Sequence, residues 1–206
     1  MAESIVQVTE GGGKKLHTFQ RTIGGNSVED EVVLLGENYL ASYTVVTTGA
    51  STATAASHLL QIMAGSSNKV RIRRIEIYQA NAATTVTMGT FQVLRLSTAG
   101  TGGGAVTPMA LDPSDSAAGC TAMALPTVKG TESGASFIVH ANAVMLQTIG
   151  ASTETVVPLV VWDFDRPRSK PLIIAAGTTN GICIKNGTAI AAGTVAVQVW
   201  IDETSF

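Results

Sequence analysis

Charged residues are scarce in this chain of 206 residues. Asp, Glu, Lys and Arg make up 14% of it, whereas roughly 25% is usual for a soluble domain. The net charge is −2 and no basic face is evident, so the composition argues against a nucleic-acid partner. A surface with so few charges is typical of a protein that other copies, or another protein, cover in the working state.

Cysteine is also rare, and the two cysteines form no motif. Cys120 and Cys183 lie far apart, and neither belongs to a CxxC or Cys/His cluster. We expect buried, inert thiols rather than a disulfide, which fits synthesis in a reducing cytoplasm.

Long apolar runs are missing as well. Residues 1–10 contain no apolar core of a signal peptide. No run approaches the roughly 18 apolar residues of a transmembrane helix. We therefore expect neither secretion nor a membrane partner.

Motifs that carry catalysis are not found. The glycine-rich run at 100–104 is followed by no Lys-Ser/Thr pair and opens no helix, so it lacks what phosphate binding requires. A GxSxG nucleophile elbow does not occur either. The sequence predicts a protein that is not an enzyme and has no catalytic residues, cofactor, metal or small-molecule substrate.

The three histidines, His17, His58 and His140, each lie in a strand-like run. None has another potential ligand at metal-binding spacing. We expect partly buried or exposed strand histidines rather than metal ligands or general bases.

Asp163 and Asp165 fall on the same face of a predicted strand. They could act as an acid and a base, or hold calcium. Two arginines follow at once, at 166 and 168, which favours a local ion-pair network at the strand end.

Asp112 and Asp115, in the run DPSDS, faintly resemble a calcium loop. The run lacks the DxDxDG spacing and the terminal glutamate of such a loop. A turn capped by aspartate side chains is the favoured interpretation.

The run KVRIRRIEIYQ, residues 69–79, is the strongest strand signal. Its four apolar side chains share one face only if the chain gains one residue, a β-bulge, at the pair Arg73-Arg74. Arg71 and Glu76 would then face water. The alternative is a strand buried on both faces, with arginines that need partners. For the basic cluster we expect a solvated or ion-paired strand edge rather than a binding surface.

Strand-like runs recur at intervals of roughly 8–12 residues with turn signals between them, which is typical of a sandwich or barrel. We therefore predict an all-β single domain at residues 14–206, an antiparallel β-sandwich of jelly-roll type. A flexible N-terminal arm at 1–13 precedes it and ends in three glycines. Such an arm could pair with the sheet edge of a neighbouring subunit.

Neighbouring runs are expected to pair with one another. Residues 58–63 and 70–78 would form a hairpin, and a strand within 84–98 would join them in a three-stranded meander. Gly89 in that strand suits a bulge or a close approach. Two apolar pairs are expected on its opposite faces, Phe91 with Val93 and Leu94 with Leu96.

The last predicted strand, Thr194–Asp202, alternates well. Its outward residues would include Gln198, Asp202 and Trp200, whose indole would be presented to a neighbour. The inward residues would be Val195, Val197, Val199 and Ile201.

Residues 99–135 are dominated by small residues, glycine and proline and read as a long loop. Two short strands, at 105–110 and 121–125, are expected within it. A loop of this length is usually functional or held by a partner, so this one is the best candidate for a contact surface.

The strand runs and glycine-rich connections resemble those of small structural proteins of tailed bacteriophages. The resemblance covers roughly residues 57–206 and is carried by KVRIRRIEIYQ, FQVLRLSTAGTGGGAVTPMALDP and PLIIAAGTTNGICIKNGTAIAAGTVAVQVWIDE. It is a resemblance of texture without a position-specific motif. It implies a jelly-roll capsid decoration or cement protein without enzymatic residues, made in the cytoplasm of the bacterial host and found on the capsid exterior of the virion.

We therefore expect the major capsid protein and further copies of this chain, most simply as a homotrimer, to be its partners. Alternatives are a jelly roll associated with the tail, neck or fibre, or a major coat protein, although the N-terminal arm lacks the basic residues of most coat proteins. A carbohydrate-binding module is a third possibility. Its sugar platform would have to come from Trp162, Trp200 and Tyr78, and aromatic residues are only 5% of the chain.

Overall fold

A computed structural model describes residues 18–23, 25–31, 40–81, 87–134, 136–146, 158–165, 171–190 and 193–204. The chain divides into two compact units, Met1–Tyr39 and Leu40–Phe206. The predicted arm at 1–13 and His17 lie outside the described residues and stay predictions.

The described residues of the first unit form an antiparallel hairpin. It joins β1, Thr18–Ile23, to β2, Asn26–Glu31. Gly25, in the turn, has a φ of 86°. This is a left-handed conformation that glycine adopts without the steric penalty of a Cβ atom.

The second unit contains strands and, in its described part, no helix. The strands are β3 (Ala41–Ser51), β4 (His58–Met63), β5 (Lys69–Asn81), β6 (Thr87–Leu96), β7 (Gly104–Val106), β8 (Met109–Ala110), β9 (Thr121–Ala124), β10 (Val139–Leu146), β11 (Val160–Asp163), β12 (Leu172–Ile174), β13 (Gly181–Asn186) and β14 (Thr194–Thr204).

The strands of the second unit form two antiparallel sheets. Sheet I has the order β11-β5-β14-β3-β8, and β12 also pairs with β5. Sheet II has the order β10-β6-β13-β4-β9-β7. Apolar side chains of both sheets form one buried cluster, which includes Ile75 and Val197 of sheet I and Phe91 and Ile182 of sheet II. The prediction of an all-β, antiparallel sandwich is confirmed.

The predicted hairpin between 58–63 and 70–78 is wrong. Strand β4 pairs with β13 and β9, whereas β5 pairs with β14, β11 and β12. The link at residues 64–68 therefore crosses from one sheet to the other. Both strands then turn an apolar face into the space between the sheets, which an edge-to-edge hairpin would not bring together.

The predicted meander is wrong for the same reason. Strand β6 pairs with β10 and β13 in sheet II, not with β5. From β3 to β6 consecutive strands thus alternate between the sheets, and their partners come from distant parts of the chain.

The predicted bulge in β5 is confirmed. Arg74 pairs with Trp200 and Ile72 with Ile201, so the residue between them, Arg73, has no counterpart on β14. The expected exposure of Glu76 is wrong, because Arg74 and Tyr78 bind its buried carboxylate. The apolar residues aligned by the bulge are all fully buried: Val70, Ile72, Ile75 and Ile77.

The predicted faces of β6 are also confirmed. Phe91 and Val93 belong to the main core, while Leu94 and Leu96 form a second buried cluster with Met63 and Cys183. Since neighbouring residues of a strand point to opposite faces, this second cluster lies on the outer face of sheet II.

Gly89 of β6 lies in a close contact, as expected. A Cβ atom at this position would overlap Cδ1 of the buried residue Ile190 and would lie 3.4 Å from Cδ1 of Leu146. Only a residue without a side chain lets these two side chains approach the strand.

The inward face of β14 is confirmed, since its four predicted residues are fully buried. The outward placement of Asp202 in water is wrong. Asp202 is only 1% exposed, and Ser42 Oγ donates a hydrogen bond of 2.8 Å to its Oδ1. Polar side chains of a sheet face can therefore be buried when segments from elsewhere in the chain contact them.

The predicted loop at 99–135 belongs partly to the sheets. Strand β8 extends sheet I beside β3, while β9 and β7 extend sheet II beside β4. The strand expected at 105–110 is two strands, β7 and β8, and each joins a different sheet. The segment thus reaches from the edge of one sheet to the edge of the other.

Candidate functional site

A cavity of about 380 Å³ opens on the outer face of sheet I. Arg74 of β5 lies opposite Trp200 of β14 on one side and Asp163 of β11 on the other, so the three residues form a row across the sheet. The residues that line the cavity are Ser42, Tyr43, Arg73, Arg74, Leu111, Asp163, Asp165, Trp200, Ile201 and Asp202.

Ion pairs from the β5 bulge hold Asp165 at this cavity. Arg71 Nη2 lies 2.8 Å from Oδ1 of Asp165, and Arg73 Nε lies 3.1 Å from Oδ2. Hydrogen bonds from Arg73 outweigh the effect of burial and hold the pKa of Asp165 below its usual value. Asp165 therefore has ion-pair partners on a distant strand, and Arg166 and Arg168 lie outside the described residues.

Asp163 makes a local contact with the backbone at this cavity. Its Oδ1 accepts a hydrogen bond of 2.9 Å from the backbone N–H of Asp165. Asp163 therefore shapes the chain at the end of β11, and Asp165 turns toward the two arginines.

The three predicted platform aromatics do not come together. Trp162 packs against the main core, whereas Trp200 lies on the outer face with the guanidinium of Arg74 5.6 Å from its ring centre. Tyr78 donates a hydrogen bond to Glu76, which raises the pKa of the phenol. The outer face of sheet I thus presents one tryptophan at the cavity.

Asp202 is the member of this site that the sequence did not reveal. It is buried, and within the described part of the chain its Oδ2 has no hydrogen-bond partner. Nη1 of Arg73 is 3.5 Å from this oxygen. A buried carboxylate oxygen without a hydrogen bond is costly, so Asp202 marks the cavity as a place where a donor would be favourable.

A chain of hydrogen bonds lies on the outer face of sheet II. The N–H of Gly100 donates to Oε1 of Gln61 at 2.8 Å, so Nε2 of Gln61 donates to Nδ1 of His58. Nε2 of His58 then carries the proton and donates to Glu132 at 3.0 Å. Lys185 Nζ donates to both oxygens of Glu132, at 2.8 and 3.0 Å.

This hydrogen-bond chain favours neutral His58 and ionised Glu132. Burial lowers the pKa of His58 and outweighs the nearby carboxylate. Burial alone would raise the pKa of Glu132, but hydrogen bonds from His58 and Lys185 outweigh it, so the pKa lies below its usual value. Of the predicted strand histidines, His58 is buried and hydrogen-bonded, whereas His140 is exposed.

Two stretches of the backbone carry groups of this hydrogen-bond chain. They are residues 97–101 and 128–133, which we call the cover segment. The backbone N–H of Ser97 donates to the carbonyl of Thr131 at 2.9 Å, and Thr101 pairs with Val128. Gly100 of one part and Glu132 of the other bind side chains of sheet II, so the cover segment is held on the outer face of this sheet. The glycine-rich run is thus needed for close packing: a Cβ at Gly100 would lie 2.6 Å from the carbonyl of Val128.

Both cysteines are buried free thiols, as expected. Burial raises the pKa of Cys183 to about 12 and that of Cys120 still further from its ordinary value. Neither thiol is therefore reactive as a thiolate near neutral pH.

The run DPSDS forms a turn capped by aspartate. Oδ1 of Asp112 accepts hydrogen bonds from the backbone N–H and the hydroxyl of Ser114, at 2.8 and 2.7 Å. Oδ2 of Asp115 accepts a bond of 3.4 Å from the backbone N–H of Ser42. This is the turn that the sequence favoured.

Buried Glu203 of β14 holds the end of the same loop. Its carboxylate accepts hydrogen bonds from the backbone N–H groups of Gly119 and Cys120, at 2.8 and 2.7 Å, and from Asn68 at 3.1 Å. Burial alone would raise the pKa of Glu203, but these bonds outweigh it and the pKa is lowered. The loop at residues 111–120 is therefore bound to sheet I at both ends. Glu203 holds its last residues, and the backbone N–H of Leu111 donates to the carbonyl of Ser42.

Among the described residues, no group of three or more His, Cys, Asp or Glu side chains could hold a metal ion. The same part of the chain contains no helix with the length and apolar character needed to cross a membrane. The described residues of the second unit thus form an all-β sandwich, and the cavity beside Trp200 on the outer face of sheet I has a charged lining. No protein-family model, curated protein or solved structure matches the chain.

Proposed function

We propose that this chain is a non-enzymatic jelly-roll protein of a bacteriophage particle, a capsid decoration protein. The observation that carries the proposal is the strand order. Eight strands give the two sets β11-β5-β14-β3 and β10-β6-β13-β4, in which successive strands cross between the sheets as in a jelly roll. Jelly rolls form the shells of many viruses, and lectin domains also use them.

The segment that joins β6 to β10 supplies the contact surface in this proposal. It adds β8 to sheet I and β9 with β7 to sheet II. Met109 and Leu111 in this segment are 65% and 59% exposed, which is high for large apolar side chains. Such side chains at the edge of a sandwich are suited to burial against a neighbouring protein.

The proposed mechanism is non-covalent. Copies of the sandwich, most simply in a homotrimer, bridge neighbouring subunits of the major capsid protein on the exterior of the particle. Each contact contributes about 25 cal/mol per Å² of buried apolar surface, and many contacts over a lattice together oppose outward pressure.

Reconstitution tests the proposal directly. Particles from a phage that lacks this gene would be mixed with the purified protein, and sedimentation would measure how much protein binds. We expect saturable binding, and about tenfold weaker binding for the double variant Met109→Asp and Leu111→Asp. Met88→Asp is the matched control, because Met88 is 57% exposed on β6, outside this segment.

Two results would count against the proposal. Failure of the folded wild-type protein to bind such particles at any concentration would remove the decoration role. Equal losses of binding for the Met88 variant and the double variant would remove the assigned contact surface. Light scattering on the free protein adds a separate check, since a clean monomer contradicts the trimer.

A further inference from the structure

We propose that the cavity on the outer face of sheet I binds one neutral sugar unit of a glycan. This inference goes beyond the proposed role in a phage particle and does not depend on it. The cavity has a volume of about 380 Å³, within the range of small-ligand sites and large enough for one or two sugar rings.

The polar wall of the cavity favours a ligand with hydroxyl groups. Oδ2 of Asp202 is buried, its described partner is the long ion pair with Arg73, and it can accept a hydrogen bond from a further donor. Nη1 of Arg73, 3.5 Å away, is a donor whose guanidinium is already held by Asp165. A hydroxyl group can donate to Asp202 and accept from Arg73 at once, which neither an ammonium nor a carboxylate can do.

The charges of the lining favour a neutral ligand. Three carboxylates, of Asp163, Asp165 and Asp202, face two guanidinium groups, of Arg73 and Arg74. Arg74 is paired with Glu76 and Arg73 with Asp165. An acidic sugar would therefore meet an excess of negative charge and find both arginines engaged.

The apolar wall suits the C–H face of a sugar ring. Trp200 is half-buried on the outer face, with the exposed side chain of Leu111 in the same lining. Arg74 lies over the indole at 5.6 Å and holds its orientation. A fixed aromatic ring beside convergent polar groups is the usual composition of a small-ligand site.

NMR of the two indole N–H groups provides the test, because the tryptophans occupy opposite faces of sheet I. The full chain would be titrated with neutral, basic and acidic monosaccharides and with neutral disaccharides. We expect a neutral sugar to shift the indole signal of Trp200 in a saturable way, while the signal of Trp162, which packs on the core, stays in place.

Variants make the assignment specific. Asp202→Asn should weaken binding at least about tenfold, because the amide keeps the oxygen that accepts from Ser42 and replaces the second oxygen, which faces Arg73, by a donor. Asp112→Asn, in the exposed turn at 112–115, should bind like the wild type. The unchanged Trp162 signal reports that the Asp202 variant is folded; if it is not, Trp200→Phe replaces it and binding is followed through the backbone signals around Ile201.

The possible outcomes separate the classes of ligand. Saturation by a neutral sugar and loss in the Asp202 variant support the proposal. A response to basic or acidic sugars alone, equal shifts of both indoles, or no response to any neutral sugar up to high millimolar concentration would overturn it.

Discussion

Arg73 directs two hydrogen bonds onto a single carboxylate oxygen of Asp165. Arg73 is also the extra residue of the bulge in β5, since its neighbours pair with Trp200 and Ile201 and it has no counterpart on β14. The bulge therefore has two effects. It aligns four apolar side chains toward the core, and it places a guanidinium at the edge of the cavity.

Deletion of Arg73 should unfold the protein or nearly do so. Without the extra residue, either Val70 and Ile72 or Ile75 and Ile77 must turn outward, at roughly 1.5–3 kcal/mol for each apolar side chain. Arg73→Ala keeps the chain length but loses the ion pairs to half-exposed Asp165 and to buried Asp202, for which we expect about 1–3 kcal/mol. Urea unfolding followed by circular dichroism distinguishes these effects, and similar midpoints for the two variants would refute the structural role of the bulge.

His58 should make the protein less stable as the pH falls from about 7 toward 5. Its folded pKa lies below the unfolded value of 6.5, so the unfolded chain takes up a proton first. The limiting slope for one proton is about 1.4 kcal/mol per pH unit. Glu132 contributes in a different window, below its unfolded value of 4.5, because its folded pKa is lowered.

The pH prediction is checked with His58→Gln and His140→Gln in urea unfolding at several pH values. The His58 variant should be less stable at pH 8 but should lose the decline between pH 7 and 5. The His140 variant, changed at an exposed position of β10, should keep the decline. Parallel curves for the wild type and the His58 variant would show that another group is responsible.

Glu203→Gln should release the loop at 111–120 from sheet I. The variant weakens the acceptor of two backbone N–H groups, those of Gly119 and Cys120, in a buried place, so we expect a loss of about 1–3 kcal/mol near neutral pH. In the wild type this stabilisation exists above the unfolded pKa of Glu203 and is lost as the pH falls through its lower folded pKa.

Hydrogen exchange measures this effect at the residues concerned. The amides of Gly119 and Cys120 should exchange faster in the Glu203 variant, while those of β6 exchange as in the wild type. Asp112→Asn in the same loop serves as the control and should leave the amides of Gly119 and Cys120 protected. Unchanged protection of these two amides in the Glu203 variant would contradict the role assigned to Glu203.

Gly89→Ala should destabilise the protein by about 1–3 kcal/mol, because the new Cβ overlaps Cδ1 of Ile190. Ile190→Val removes this methyl group and alone costs about 0.5–1.5 kcal/mol. The double variant should lose less than the sum of the two, a coupling that thermal or urea unfolding detects. Gly104→Ala is the control, since nothing lies within 4 Å of its added Cβ, and additive losses in the pair would contradict the contact.

Local features of this fold could be predicted from the sequence, because they depend on alternation. The bulge at Arg73-Arg74, the two faces of β6 and the inward face of β14 all follow from which side chains are apolar. The capped turn at Asp112 follows from side-chain chemistry within three residues.

Strand pairing could not be predicted in the same way. Strands β4 and β5 are neighbours in sequence with a short link, which is typical of a hairpin, and yet they lie in different sheets. Strand β4 pairs with β13 and strand β5 pairs with β14. Both partners lie more than 100 residues further along the chain. A periodicity within one strand contains no information about such a partner.

The cavity was hidden for a related reason. The sequence predicts a paired acid at Asp165, and its described partners, Arg71 and Arg73, come from the distant strand β5. Asp202 read as an exposed residue of an alternating strand, and its burial depends on Ser42 of β3 and on the side chain of Arg73. Sequence patterns identify the face on which a side chain lies, whereas its burial there depends on contacts with segments that are distant in the sequence.

The role as a capsid decoration protein is tested most directly by electron cryo-microscopy of the phage particles that contain this chain. We expect density for a two-sheet sandwich outside the shell that bridges neighbouring capsid subunits, with Met109 and Leu111 at the contact. Particles from the gene deletion should lack this density. Identical outer shells with and without the gene would contradict the role.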